Sequence, residues 1–119
     1  MAITAEITGE GVFRITDPGK GIYDFQLPRS FTVTQFKPPE LRNVANGVTD
    51  LALNFGGITA AKWLVIETDG AITLKVNGSA TAVPVDTLYI EVSSGGLITA
   101  ATISNASGAS RAVRYAIGG

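Results

Sequence analysis

Apolar and polar residues alternate with a period of two along most of the chain, the pattern of strands with one buried face. Ile3, Ala5 and Ile7 oppose Thr4, Glu6 and Thr8, and Gly9-Glu10-Gly11 then reads as a turn before Val12–Thr16. Asp17-Pro18-Gly19-Lys20-Gly21 closes that second strand, because proline presets φ and glycine accepts positive φ. Tyr23, Phe25 and Leu27 alternate with Asp24 and Gln26 up to Pro28, a strand end or edge. Phe31, Val33 and Gln35 follow, opposite Thr32 and Thr34.

The second half is cleaner. Leu51, Leu53 and Phe55 form one apolar face, ended by Gly56-Gly57. Lys62 to Thr68 is nearly all apolar through Trp63-Leu64-Val65-Ile66, which predicts a central strand covered on both sides. Asp69-Gly70 predicts a hairpin into Ile72, Leu74 and Val76, and Asn77-Gly78 predicts another turn. Leu88, Ile90 and Val92 alternate with Tyr89 and Glu91. Leu97–Ile103 and Val113–Ile117 complete the series. Between the halves, Lys37-Pro38-Pro39-Glu40 opens a stretch expected to be irregular over 37–50. Glu40–Ala45 is read there as a helical turn stopped by Asn46-Gly47.

About eight to nine short strands with frequent turn signals predict one all-β domain over 1–119, an antiparallel, jelly-roll-like β-sandwich. An up-and-down barrel is the main competitor. Residues 1–8 are a candidate N-terminal docking arm.

Composition narrows the function. Charged residues are 16% of the chain, against roughly 25% in ordinary domains. Such a surface is either partly covered by a partner or that of a small neutral protein. The formal net charge is −1 and the Lys and Arg residues are scattered, so no basic stripe for nucleic acid is expected. There is no cysteine and no histidine. Disulfides, thiolate catalysis and the commonest general base and transition-metal ligand are thereby removed. No apolar run approaches the roughly 20 residues of a membrane helix, and Met1–Glu6 lacks the pattern of a signal peptide.

Glu67 and Asp69, two apart at a strand end, are the one carboxylate pair that could serve glycoside hydrolysis or a hard cation. Asp69 is explained by the turn it makes with Gly70 and Glu67 by a solvated strand end, and this reading is preferred. No nucleophile elbow, phosphate loop or calcium-loop spacing occurs. No catalytic, cofactor-binding or metal-binding residue is therefore expected. Trp63, Tyr23, Tyr89 and Tyr115 could stack on sugars, but Trp63 opens the most apolar strand and is read as core or interface. Arg29, Lys37, Pro38, Pro39, Arg42, Arg111 and Arg114 are the candidate interface residues, arginine being enriched in protein contacts.

The run Trp63–Gly78 combines an apolar strand, an acidic turn, Ile72-Thr73-Leu74-Lys75-Val76 and Asn77-Gly78. With Leu88-Tyr89-Ile90, Gly95-Gly96, Ile98–Asn105 and Gly118-Gly119 it resembles a pattern of small virion proteins of tailed bacteriophages. The resemblance covers about the second half of the chain. It implies a non-enzymatic head decoration (cement) protein, made in the host cytoplasm and located in the virion. Such a protein would be a homo-oligomer, trimer or dimer, bound to the major capsid protein. A minor tail or adhesin component and a carbohydrate-binding sandwich module are the alternatives.

Overall fold

In the computed structural model, strand backbone is described for 3–7, 12–17, 21–26 and 29–33, and backbone with side chains for 35–93 and 95–119. The described residues form twelve strands and no helix: β1 (Ile3–Ile7), β2 (Val12–Asp17), β3 (Gly21–Gln26), β4 (Arg29–Val33), β5 (Phe36–Val44), β6 (Leu51–Ala52), β7 (Trp63–Thr68), β8 (Ile72–Val76), β9 (Val83–Val85), β10 (Leu88–Val92), β11 (Ala101–Ser104) and β12 (Arg111–Gly118). The all-β expectation holds.

The first four strands form a ribbon. β2 and β3 pair antiparallel from Val12↔Gln26 to Asp17↔Gly21, and β1 and β4 pair outside them from Ile3↔Val33 to Ile7↔Arg29. The candidate arm over 1–8 thus includes β1, which is paired along its length with β4.

The remaining strands build two four-stranded antiparallel sheets, ordered β10-β7-β12-β5 and β6-β11-β8-β9. The chain passes from one sheet to the other at every connection from β5 onward, except between β8 and β9. Both sheets supply one buried cluster. Val44, Leu64, Ile66, Val113, Tyr115 and Ile117 come from the first sheet; Ile72, Leu74, Val85, Ala101 and Ile103 come from the second. The alternation in β7, β8 and β12 selects these residues, since a period of two sends every second side chain to one face.

Several sequence readings are corrected. The segment 37–50 is strand through Val44, with no helical turn at Glu40–Ala45. Proline is tolerated there because β5 is an edge strand, and Pro38-Pro39 fall where its register with β12 shifts, between Tyr115 and Ile117. Asp69-Gly70 does not make a hairpin: β7 and β8 lie in different sheets, so the turn is a crossover. Thr68 stabilises it, its hydroxyl donating to the Gly70 carbonyl at 2.7 Å. Asn77-Gly78 is a tight turn as expected, with φ of 55° and 69° and the Ser79 N–H donating to the Val76 carbonyl at 3.1 Å. β7 is central, but only one of its faces is fully covered: Leu64, Ile66 and Thr68 are buried while Val65 is half-buried and Glu67 exposed. The run Leu97–Ile103 is strand only from Ala101, with Ile98 making a single bridge to Ala61.

Candidate functional site

The carboxylate pair lies in an open hollow of about 520 Å³ at the end of β7, lined by Leu41, Glu67, Thr68, Asp69, Ala112 and Arg114. Each acid is occupied there. Glu67 pairs with Arg114 at 3.2 Å, both side chains well exposed. Asp69 accepts the Ala112 N–H at 3.0 Å, and its own N–H donates to the Ala112 carbonyl at 3.2 Å. These contacts tie the crossover turn to β12. No group of three metal-ligating side chains occurs among the described residues.

The edge at β5 carries a second polar cluster. The Tyr115 ring is 1% exposed, and its hydroxyl donates to Glu40 Oε2 at 2.7 Å while accepting the Asn54 N–H at 2.9 Å. Lys37 Nζ reaches Glu40 Oε1 at 3.3 Å and lies 5.6 Å from the centre of the Tyr115 ring. Arg42 approaches Glu40 Oε2 at 3.6 Å. The Tyr115 hydrogen bond, helped by the two cations, holds the Glu40 carboxyl below its usual range. Burial, then the bond to Glu40, raises the Tyr115 hydroxyl. This is a structural knot joining β5, β12 and the segment after β6.

The outer face of the same sheet carries exposed apolar side chains towards both edges, with the Glu67–Arg114 pair between them. On β10, Leu88, Ile90 and Val92 point to solvent at 55%, 44% and 44% exposure, while Tyr89 and Glu91 are half-buried. Their partners on β7 are Glu67, Val65 and Trp63. Trp63 is buried over Gly118, where an added methyl would overlap the indole, and its ring stands 5.8 Å from that of Phe36. Its Nε1 has no hydrogen-bond partner among the described residues. Phe36 and Leu41 extend the apolar surface at 44% and 63% exposure. Burial of Trp63 and Tyr115 leaves no row of exposed aromatics among the described residues.

The candidate interface residues are divided among these places. Lys37 and Arg42 gather on Glu40, Pro38 and Pro39 are exposed on the β5 edge, and Arg114 lies on the outer face. Arg111 covers Gly70 and its Nε donates to Ser107 Oγ at 2.9 Å. Arg29 pairs with Ile7 in the ribbon, its side chain lying outside the described residues. Sequence reasoning missed the exposed apolar set on β10, although the alternation of Leu88, Ile90 and Val92 was the signal. It also missed two polar pins. Asn77 Oδ1 accepts the Thr99 N–H at 2.7 Å, and buried Asn105 donates to the carbonyls of Val44 at 2.7 Å and Ala109 at 2.8 Å.

No family model, curated protein or solved structure matches the chain.

Proposed function

We propose that the chain is a non-enzymatic structural protein of a tailed-phage virion, a head decoration protein that acts through subunit contacts. The observation that carries this reading is the set of exposed apolar side chains on the outer face of the sheet β10-β7-β12-β5, Leu88, Ile90, Val92, Phe36 and Leu41. Large exposed apolar surfaces belong to interaction sites. The engagement of Glu67 and Asp69 by Arg114 and Ala112 fits a protein that works by contact.

The strand orders support a jelly-roll sandwich. The eight strands from β5 pair as nested couples, β5 with β12, β6 with β11, β7 with β10 and β8 with β9. That is the pattern of one long antiparallel ribbon wound into two layers. The sequence resemblance over Trp63–Gly78 points the same way. Partners are further copies of the chain and the major capsid protein.

The test is immunogold electron microscopy of virions from the source culture, using antibody raised against the purified protein. Labelling over the head surface is expected. Labelling confined to the tail selects the tail or adhesin alternative, and virions that carry none of the protein overturn the reading.

A further inference from the structure

The four sheet edges of the body are not protected alike. β6 has two residues, and β9 has three with Pro84 at its centre. β5 carries Pro38, Pro39 and the charges of Lys37, Glu40 and Arg42. Short strands, prolines and charges are the devices that keep edges from pairing with other chains. β10 has none of them on its exposed positions. It is five residues long and lacks proline, and its one guard is the inward-turned charge of Glu91.

The hydrogen-bond phase of β10 follows from its ends. Thr68 N–H donates to the Thr87 carbonyl at 3.0 Å and Ser93 N–H to the Lys62 carbonyl at 2.6 Å. The bonded pairs of an antiparallel ladder alternate, so Tyr89 and Glu91 are the residues bonded to β7. Leu88, Ile90 and Val92 therefore direct their N–H and C=O groups away from the sheet. The same three residues carry the exposed apolar side chains.

We propose that β10 is a dimerisation edge, pairing antiparallel with β10 of a second copy about a two-fold axis at Ile90 and joining two four-stranded sheets into one of eight strands. The proposal deepens the subunit-contact reading above, and rests on it only in taking a second copy as the partner. The strand is self-complementary in this register. Ile90 meets its mate, Leu88 meets Val92, and all three bring outward donors and acceptors into bonding phase. The two-fold axis keeps both apolar faces on one side, where they form a continuous surface. Tyr89 comes opposite Glu91 of the second copy. Glu91 bonds the Tyr89 hydroxyl of its own chain, and its Oε2 is left without a hydrogen-bond partner among the described residues.

The natural chain has no cysteine, so an Ile90→Cys variant offers a single thiol. Bonded antiparallel partners stand about 5.5 Å apart at Cα, within the disulfide range of roughly 4.4–6.8 Å. Mild oxidation of Ile90→Cys should give a disulfide-linked dimer, and Leu41→Cys on the opposite edge should stay uncrosslinked. Ile90→Pro removes only an outward N–H, and Ile90→Lys places like charges on the axis. Light scattering over a range of concentrations should show dimers for the natural chain. For Ile90→Lys the dimer constant should be weaker by roughly 100-fold. A strict monomer, a trimer, or a dimer untouched by both Ile90 variants overturns the proposal. A crosslinked dimer absent from virions sinks the decoration reading and leaves the strand pairing standing. Virion labelling with a monomer or trimer does the reverse.

Discussion

β5 and β10 are the two edges of one sheet, and they are finished in opposite ways. β5 is closed by prolines and anchored from within by Tyr115, Glu40, Lys37 and Arg42. β10 is held by its ladder to β7, and turns its apolar residues outward. An edge that is to remain an edge needs groups that cannot extend a ladder; an edge kept ready for a partner needs none. The difference separates a margin that stabilises the subunit from one that can recruit another.

Substitutions at Tyr115 should break the β5 margin most severely. Tyr115→Ala empties a buried site and should cost about 3–5 kcal/mol in chemical denaturation. Tyr115→Phe keeps the ring but strands Glu40 and the Asn54 N–H, and should cost roughly 1–3 kcal/mol. If Tyr115→Phe matches the natural chain, the knot is not what secures that edge. Gly118→Ala comes next. Its methyl needs the space of the Trp63 indole, so a loss of about 1–3 kcal/mol is expected. The emission of this single tryptophan should shift to the red. An unmoved spectrum would mean that Trp63 is not seated on Gly118.

The next effect is a pH dependence. Glu40 is held below its usual value of 4.5 in the folded chain, so its contribution is present above that value and fades as pH falls through the folded one. Glu40→Gln should therefore flatten part of the acid limb of a stability–pH curve. Tyr115 is raised above 10.0. Its contribution is present below that value and is lost as alkaline pH climbs through the folded one, so Tyr115→Phe should flatten the alkaline limb. Curves that superimpose on the natural one would remove each group from the account. The smallest effect is expected at the other margin. Leu88→Lys changes an exposed side chain, and unfolding of the monomer should move by no more than about 0.5 kcal/mol. A large loss would show that β10 is packed more like β5 than the comparison allows.

The contrast also explains what could be read from the sequence. Alternation located β7, β8 and β12 because each has one buried face, a property of neighbouring residues alone, and it located β10 although the apolar set there faces solvent. Asn77-Gly78 was legible because that dipeptide suits positive φ. Asp69-Gly70 misled. A turn signal specifies reversal of the chain, while the sheet joined by β8 depends on where Ile72 and Leu74 find Leu64 and Ile66. Val83-Pro84-Val85 was too short to register, and Pro38-Pro39 concealed β5, because edge status is a property of the assembled sheet. The candidate residues fared similarly. Lys37 and Arg42 were sensible by type, but their gathering on Glu40 depends on Tyr115, distant in sequence.

The nested pairing of the eight body strands also sets an order in time. β8 and β9 are joined locally through Asn77-Gly78, whereas Phe36 must await Gly118 before the outermost couple can close. A chain emerging from the ribosome can complete the pairing of 3–33 early, yet its first body strand has no ladder partner until the last is synthesised. We expect pulse-labelled exchange during refolding to protect β8 and β9 amides before those of β5. Simultaneous protection would mean that the ladders close together. Such long-range closure belongs to the slow end of single-domain folding, about milliseconds to seconds.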